Sequence, residues 1–399
     1  KQIDFLKIME RMRTLVGNDI DAIRRGLSSS TNIDYYHSVA EFVSPYTMKV
    51  EGETINAKMI FLTIGSGVII PKIKGLEETG YLTSDTLLKL TSLPKSVAVV
   101  GGGYIAAEYG HFLSSMGSNV TIIGRNSRFL PGEEPEISEL AKKEFAKHMK
   151  VFTNQEVVES QTTYAGLKRL TSMDKDTGKM TFVEVEEILI ASGRGPLTEL
   201  LHPENGGIKA TRDGWIDVNE YLETSQPNIW AFGDANGKHL FRHVANYESE
   251  VVFLNAVLKR KVKVDYHAIP HAVFSYPEVA SVGMREMEAV EKLGEEKVLV
   301  GFYKYENTAK GEAMNVKDFF IKVIVDNTDM KILGAHIIGP QASVLIQEII
   351  NVMYAPTQSA EIIEEAMHIH PAMNEVVQRA FGSLMPVEHY HEHILGEQE

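Results

Sequence analysis

VAVVGGGYIAAE, at residues 97–108, is an apolar β-branched run followed by a glycine turn and the start of a helix. A second apolar run follows at residues 120–123, so the two runs and the helix between them form one β-α-β unit. In such a unit Gly101 permits the tight turn, Gly103 lets the backbone approach a phosphate, and Ala106 lets the helix pack closely on its strand. The N–H groups at the helix N-terminus attract negative charge. The pattern predicts a site for a dinucleotide pyrophosphate, and hence a redox enzyme; the alternative is a strand–turn–helix corner that holds no ligand.

The end of the second strand bears on which dinucleotide binds. NAD sites usually place an Asp or Glu there to bind the ribose hydroxyls, whereas this sequence has Gly124 followed by Arg125 and Arg128. Two guanidinium groups within one turn can hold a 2′-phosphate through charge-assisted hydrogen bonds. We therefore expect NADPH as the nicotinamide cofactor. NADH stays open as an alternative, because single arginines in a loop are commonly just solvated.

The composition is that of a globular protein with large cores. Of the 399 residues 44% are hydrophobic and 24% are charged, and the length fits two or three domains. The formal net charge of −14 argues against nucleic acid as a partner, because phosphate binding needs a basic face. No apolar stretch reaches the roughly 18 residues that span a bilayer, so we expect no membrane partner. The sequence has no cysteine and shows no signal-peptide pattern, which favours the cytoplasm.

Periodicity along the chain predicts further elements. An amphipathic helix begins after a cap at Asp4, and a small antiparallel meander occupies residues 35–50 and 53–62. From Tyr266 the pattern changes to long apolar strands and helices, which indicates a separate α+β domain. Within that domain we expect a β-hairpin that turns at residues 326–329, and helices at residues 342–353 and 359–367.

Four signatures follow one another along the whole chain. They are TIGSGVIIP at 63–71, GGGYIAAE at 101–108 with ASGRGP at 191–196, NIWAFGD at 228–234, and FSYPEVASVG at 274–283 with HIHPAMNE at 368–375. Any one of them could arise by chance, but four in this order closely resemble the flavin-dependent pyridine nucleotide–disulfide oxidoreductases. This is the family of dihydrolipoamide dehydrogenase and of glutathione, mycothione and mercuric reductases.

The resemblance implies an α/β fold with two Rossmann-like, three-layer nucleotide-binding domains and a C-terminal α+β dimerisation domain. The FAD-binding domain would be discontinuous, and incomplete at its N-terminus. The implied bounds are residues 1–92 and 193–265 for the two parts of the FAD-binding domain, 93–192 for the NAD(P)-binding domain, and 266–399 for the dimerisation domain.

The resemblance also implies FAD and NADPH as cofactors and gives roles to single residues. Asp234 would bind the ribityl chain of FAD, and the backbone near Ala245 would lie under the flavin. Tyr104 would cover the flavin on its nicotinamide side, and Glu108 would orient the carboxamide. Without the resemblance, Asp234 would be a turn cap, Tyr104 a core residue and Glu108 a helix-surface charge. The full set of implied cofactor-binding residues is Gly65, Gly101, Gly103, Tyr104, Ile105, Glu108, Arg125, Arg128, Gly193, Arg194, Gly233, Asp234 and Ala245.

His370 and Glu375 match the C-terminal His-Glu pair of the family. There the histidine is the acid-base for the substrate thiol and serves the opposite subunit of a homodimer, while the glutamate fixes its tautomer and stabilises its protonated form. A lone His before a proline would usually be structural. His368 and the terminal His389, His391 and His393 invite a metal site, but alternating histidines in a polar tail are more often solvated, so we expect no metal.

The sequence departs from the family pattern at its start. It has neither the N-terminal G-x-G-x-x-G for the FAD pyrophosphate nor the C-x-x-x-x-C redox pair. We interpret it as a family chain without its N-terminal segment, which would also carry the lysine partner of Glu108. Leu197 and Ala372 replace an Asn and a Thr of the family motifs, with no chemical role lost.

The expected function is that of a homodimeric FAD enzyme. Hydride would pass between the nicotinamide and the flavin, and electrons between the flavin, a cysteine pair and a small thiol, disulfide or lipoyl substrate. By family frequency, dihydrolipoamide dehydrogenase is the first expectation. The arginine loop favours an NADPH-dependent reductase of a low-molecular-weight disulfide, such as mycothione or glutathione. Mercuric reductase is a weaker fit, since its C-terminal cysteine pair is missing. A different class also stays open, an NADPH-binding, dimerising module without redox activity.

Overall fold

The computed structural model of this chain describes residues 3–396. The α-helices of this part are α1 (Phe5–Ser29), α2 (Leu76–Thr79), α3 (Ser84–Leu87), α4 (Tyr104–Met116), α5 (Pro135–Phe145), α6 (Arg242–Val252), α7 (Glu286–Leu293), α8 (Ala309–Ala313), α9 (Ala342–Met353), α10 (Glu361–Glu365), α11 (Glu375–Phe381) and α12 (Val387–Tyr390). None of these helices is long and apolar enough to cross a membrane.

The strands of the same residues form six sheets. In chain order they are β1 (Glu41–Ser44), β2 (Thr47–Val50), β3 (Glu53–Asn56), β4 (Ile60–Leu62), β5 (Ser66–Val68), β6 (Ser96–Val100), β7 (Asn119–Ile123), β8 (Lys150–Phe152), β9 (Gln155–Thr162), β10 (Lys168–Asp174), β11 (Met180–Val185), β12 (Glu187–Ile190), β13 (Arg194–Pro196), β14 (Ile229–Ala231), β15 (Pro270–Val273), β16 (Glu278–Gly283), β17 (Val298–Lys304), β18 (Phe320–Asp326), β19 (Ile332–Gly339) and β20 (Met385–Pro386).

The chain divides into two compact units. The first comprises the residues up to Pro71, Ser84–Ser92 and Gly193–Tyr266, and the second comprises Lys72–Thr83, Leu93–Ser192 and the residues from His267 onward. Each unit is therefore assembled from separate stretches of sequence.

The second unit contains a parallel sheet of order β12-β6-β7-β8. Strand β6 is central and its last four residues are buried, as expected for a strand covered on both faces. Helix α4 connects β6 to β7, which confirms the predicted β-α-β unit. Helix α5 begins with Pro135 at its first turn and carries lysines in its last turn, an arrangement that fits the helix dipole.

The second unit also holds a six-stranded antiparallel sheet of order β15-β16-β19-β18-β17-β20. The hairpin of β18 and β19 and helix α9 confirm the predicted elements, whereas the helix predicted at residues 359–367 is only α10. Strand β19 is almost wholly buried inside this domain. The apolar strand therefore does not itself offer a surface to a partner. Exposed apolar side chains of the domain include Val344 on α9, Ile362 on α10 and Ile369.

The first unit is built from short strand pairs. Strands β1, β2 and β3 form the predicted meander, β14 pairs in parallel with β4, and β13 pairs antiparallel with β5. Their core includes Phe42, Ile60 and Ile229. Residues 35–40, predicted as part of the meander, are not a strand, because they are mostly exposed and have no strand beside them to pair with.

Helix α1 begins as predicted, with the Asp4 side chain accepting a hydrogen bond from the Lys7 N–H at 3.1 Å. Its apolar face is only partly buried. Phe5 and Met9 are covered, whereas Leu15 is exposed.

Candidate functional site

The glycine turn after β6 fits closely against neighbouring backbone. Gly101 has φ +141°, and a Cβ there would lie 2.1 Å from the carbonyl oxygen of Ala191, so only glycine fits. Gly103, at the N-cap of α4, has open space where its Cβ would be. Behind the turn, a Cβ on Gly110 would approach Ile122 within 3.0 Å, so Gly110 as well as Ala106 brings the helix close to its sheet. Sequence reasoning missed Gly110.

The N-terminus of α4 suits an anion. Its N-cap, Gly103, has no side chain to cap the helix, and the first turn contains no acidic residue. The positive end of the helix dipole lies beside the open space at Gly103. Tyr104, the first helical residue, is partly exposed, so it is not a core residue.

The arginine loop lies beside this turn. Gly124 packs closely on Gly102, since a Cβ on Gly124 would lie 3.3 Å from the Gly102 Cα. Arg125 and Arg128 are exposed, and neither forms an ion pair with any residue in the described part of the chain. The Leu130 N–H donates to the Gly102 carbonyl at 2.8 Å, which ties the arginine loop to the glycine turn.

Glu108, one turn into α4, is half-buried and not a simple surface charge. Its carboxylate accepts a hydrogen bond from the backbone N–H of Phe274 at 2.9 Å. Burial raises the pKa of Glu108, and this hydrogen bond offsets part of the effect. The contact links the nucleotide-binding part of the second unit to the FSYPE stretch of its C-terminal part.

In the first unit, Asp234 and Arg194 meet at Ser66. The Ser66 hydroxyl donates to Asp234 Oδ2 at 2.6 Å, and Arg194 Nε donates to the Ser66 Oγ at 2.6 Å. The Arg194 guanidinium also donates to the Ser66 carbonyl at 2.5 Å. Gly65, next to Ser66, has a positive φ and open space around it. Sequence reasoning named Gly65, Arg194 and Asp234 but missed Ser66, which lies in the quoted TIGSGVIIP motif.

The turn that carries Asp234 is held by a buried carboxylate. Glu248 on α6 is fully buried and accepts hydrogen bonds from the Gly233 N–H at 2.6 Å, the Asn236 side-chain amide at 3.0 Å and the Tyr266 hydroxyl. Gly233 has φ +65°, and a Cβ there would lie 3.0 Å from that of Ala245. Burial, followed by the bond to Glu248, raises the pKa of Tyr266. Glu248 was not predicted, although the quoted FRHVANYE motif contains it.

His370 is presented to solvent by its partner Glu375. The imidazole Nδ1 lies 2.8 Å from Glu375 Oε1, and the other carboxylate oxygen accepts the Ala372 N–H at 3.1 Å. The hydrogen bond with His370 lowers the pKa of Glu375. The His370 side chain is 69% exposed, whereas Glu375 is buried. A fixed carboxylate behind an exposed imidazole leaves the second ring nitrogen available for proton transfer.

A buried charge cluster joins the two parts of the second unit. The Lys322 ammonium, 1% exposed, lies 3.0 Å from Glu134, 2.9 Å from Glu136 and 2.7 Å from Glu286. Burial disfavours its charge, but the three carboxylates outweigh that effect and raise the pKa of Lys322. The Tyr390 hydroxyl donates to Glu136 at 3.0 Å. Sequence reasoning found none of these contacts.

Beside this cluster, Glu133 and His271 form a second link between the same two parts. His271 Nε2 lies 2.6 Å from Glu133 Oε1, and the Ser281 hydroxyl donates to Glu133 Oε2 at 2.6 Å. Burial alone would raise the pKa of Glu133 and lower that of His271, but their mutual contact reverses both shifts. The contact therefore favours the charged form of both groups.

The expectation of solvated C-terminal histidines holds only in part. His368 hydrogen-bonds Glu348 at 2.8 Å, and His391 lies 2.6 Å from Glu286. His389 and His393 are exposed. Within residues 3–396, no group of three or more His, Cys, Asp or Glu side chains is arranged to hold a metal.

A β-α-β unit with a close glycine turn and uncapped helix, together with a Ser-Asp-Arg cluster and an acid-base pair, defines a dinucleotide-binding oxidoreductase of the α/β class. Residues 5–251 match the family described as pyridine nucleotide-disulphide oxidoreductase, and residues 269–381 match the dimerisation domain of that family. The chain belongs to this family.

Named relatives give the same result. The chain is 32% identical to mycothione reductase of Mycobacterium tuberculosis over 364 residues, covering 88% of this chain and 77% of the relative. It is 32% identical to dihydrolipoyl dehydrogenase of Geobacillus stearothermophilus over 384 residues, covering 95% of this chain and 80% of the relative. Among solved structures, the HOCl-induced flavoprotein disulfide reductase RclA from Escherichia coli has a TM-score of 0.86 at 28% identity, covering 96% of this chain and 86% of RclA.

These matches confirm the predicted fold class and the predicted class of enzyme, a flavoprotein NAD(P)H-dependent disulfide oxidoreductase that is dihydrolipoamide dehydrogenase-like or a related reductase. The cofactors of the family are FAD and NAD(P)H. The residues present fit the nicotinamide dinucleotide and the ribityl part of FAD. The open position at Gly103 and the N-terminus of α4 suit a pyrophosphate, and the Asp234 carboxylate suits a polyhydroxyl chain.

Proposed function

We propose that this chain uses NADPH, rather than NADH, to reduce a low-molecular-weight disulfide through FAD. The observation that carries the proposal is the arginine loop, in which two exposed guanidinium groups without carboxylate partners in the described chain follow Gly124, at the position where NAD sites usually place the ribose-binding acid. A 2′-phosphate carries the charge that such groups bind best, and a free 2′-hydroxyl would leave both without a partner.

The second unit would bind NADPH through three features described above. The backbone at Gly103 and the N-terminus of α4 would hold the pyrophosphate, with Gly101 shaping the turn. Ile105 in the first turn and Tyr104 would border the nicotinamide end, and Glu108, fixed by the Phe274 N–H, would accept a hydrogen bond from the carboxamide. The family resemblance implies these roles, and the contact between Glu108 and Phe274 supports them.

The first unit would bind FAD. Asp234 uses one carboxylate oxygen for Ser66 and has the other for hydroxyl groups of the ribityl chain, while Arg194 and Gly193 border the same place. Gly65, Gly233 and Ala245 keep bulk away from the cofactor. These residues would hold a cofactor whose flavin would supply two-electron transfer between a nicotinamide and a disulfide.

His370 would hold and release the proton of the substrate thiol, with Glu375 fixing its orientation. A dimer built on the C-terminal domain is supported by the family match, and we propose that His370 serves the site of the other subunit. The cysteine pair that this chemistry needs is not among the 399 residues. We also propose a small disulfide substrate, a cytoplasmic location and the division into the four segments given above.

The test of the proposal is the cofactor preference of the arginine loop. In Arg125→Ala, NADPH binding should weaken by about 1.5–3 kcal/mol, or roughly 10- to 150-fold, because a charge-assisted contact is lost, while NADH binding should change little. Calorimetric titration measures both without requiring flavin or a disulfide. The matched control is Arg169→Ala, which removes an exposed arginine already paired with Glu184 in the same unit. Equal affinity of the wild-type chain for the two cofactors would refute the proposal.

Dihydrolipoyl dehydrogenase activity is the second candidate. It is favoured by the 32% identity to the Geobacillus stearothermophilus enzyme over 95% of this chain. A preference for NADH, with reduction of NAD by dihydrolipoamide, would support this candidate over the first.

A further inference from the structure

The last helical segment of the described chain is anchored on one side. Val387 and Tyr390 of α12 are buried, and Tyr390 donates to Glu136. His391, the first residue of the π-helical turn His391–Leu395, contacts Glu286. These contacts fix the orientation of the segment on the second unit, so the side chains that face away from it have a defined arrangement.

His389 and His393 are two side chains of this kind. They are four residues apart, which places them as neighbours on one helix face. Both are exposed, and their ring centres are 4.2 Å apart with an angle of 66° between the ring planes. Neither imidazole bonds to another residue in the described part of the chain.

The ring separation of 4.2 Å is slightly shorter than that of two imidazoles that share one metal ion. A histidine nitrogen lies about 2.0–2.1 Å from a bound metal ion, and the centre of its ring lies about 1.1 Å further away. Two such rings that meet the metal at 90° have centres about 4.5 Å apart. At the tetrahedral angle the ring centres are about 5.2 Å apart. The observed 4.2 Å is closer to the 90° arrangement. The terminal torsion of histidine is broad, so a ring rotation can aim one nitrogen of each ring at the shared point.

We propose that His389 and His393 form a chelating site for a late first-row transition-metal ion, with Cu(II) bound most tightly. Cis nitrogen ligands at 90° suit Cu(II) and Ni(II), whereas Zn(II) prefers a tetrahedron, and Cu(II) is also highest in the general order of affinities. No third His, Cys, Asp or Glu within residues 3–396 completes a ligand set, so water supplies the remaining positions. The exposed carboxylates of Glu388 and Glu392 make the surroundings favourable for a cation.

The experiment is a Cu(II) titration of full-length, tag-free protein against a competing chelator, with electron paramagnetic resonance to count nitrogen ligands. The wild-type chain should bind one Cu(II) through two nitrogens. His389→Ala and His393→Ala should each weaken binding by about tenfold or more, because the second imidazole acts at a high effective concentration.

The control is His391→Gln, which removes the imidazole between them but keeps a hydrogen-bonding side chain toward Glu286, and should retain the site. All three variants change exposed or partly exposed side chains, and circular dichroism checks that each is folded. Equal Cu(II) affinity of the wild-type chain and the His389→Ala/His393→Ala double variant would overturn the proposal. A loss in His391→Gln as large as in the single alanine variants would overturn it as well.

Discussion

His370 is suited to acid-base catalysis because its two ring nitrogens have different surroundings. Nδ1 is engaged by Glu375, which is itself fixed by the Ala372 N–H, while the ring is otherwise exposed. A carboxylate in this position stabilises the protonated imidazole without blocking the reacting nitrogen. The pair can therefore take up and return a proton at one place.

In the enzyme that carries its redox cysteine pair, His370→Ala should reduce disulfide turnover by roughly 10²- to 10⁴-fold, the usual effect of losing a positioned acid-base. Reduction of flavin by NADPH should be nearly unchanged, because that step needs no thiol proton. Stopped-flow absorbance separates the two half-reactions. His202→Ala, an exposed histidine in the first unit, is the control. Equal loss in both half-reactions would return His370 to a structural role.

At the scale of elements, the glycine turn of the β-α-β unit has two separate functions, one in the fold and one in ligand binding. Gly101 is required by the fold, since a side chain there would collide with the Ala191 carbonyl. Gly103 has no such neighbour, and its small size matters only for what approaches the helix N-terminus. Two glycines two positions apart can thus be told apart by experiment.

Gly101→Ala should lower the free energy of unfolding by at least about 2 kcal/mol, because it combines backbone strain with a steric clash. Gly103→Ala should change it by less than about 0.5 kcal/mol but weaken NADPH binding, because the added methyl group occupies the space that the phosphates approach. Urea unfolding and calorimetric titration of the same two proteins measure both effects. If Gly103→Ala binds NADPH as tightly as the wild type, the phosphates do not approach at this point.

The sequence predicted the elements better than the contacts between them. Strand β6, helix α4 and the arginine loop follow from local apolar spacing and glycine placement, all within about thirty residues. Ser66 was missed because its role arises only when β5 pairs with β13 and β4 with β14, across distant parts of the chain. Glu248 was missed although its partners are near in sequence, because a glutamate on an amphipathic helix normally indicates an exposed position. Lys322 was missed for the same reason: a lysine in a strand normally indicates an exposed position, and only its three carboxylates explain its burial.

At the scale of the whole molecule, the Glu133–His271 pair should make stability depend on pH. The folded-state pKa of His271 is raised, so its contribution is complete below about pH 6.5 and is lost as the pH rises through the raised value. The folded-state pKa of Glu133 is lowered, so its contribution is complete above about pH 4.3 and is lost as the pH falls through the lowered value. The pair therefore stabilises the second unit most between these limits.

We expect His271→Gln to lower the melting temperature more at pH 6 than at pH 9. Thermal unfolding over this range, with His37→Gln as an exposed control, measures the difference. A melting-temperature loss that is independent of pH would mean that packing, and not charge, makes His271 important.

Self-association through the C-terminal domain is the second property predicted for the whole molecule. Val344 on α9 is 68% exposed in a domain that matches a dimerisation family. Val344→Glu should weaken self-association, because it places a charge on an apolar position suited to an interface. Met180→Glu is the matched control, since Met180 on β11 is 53% exposed but lies outside that domain. Sedimentation velocity over a range of concentrations measures both. A wild-type monomer at working concentration would contradict the shared site proposed for His370.

The interleaving of the two units sets the order in which the chain can fold during synthesis. Strands β4 and β5 leave the ribosome early, but their partners β14 and β13 follow only after all of β6–β12 has been made. Such pairings have high contact order and close large loops, so they form slowly. Until then β4 and β5 lack their partners, so we expect the nascent first unit to be prone to association, and slow synthesis at low temperature should raise the yield of folded protein.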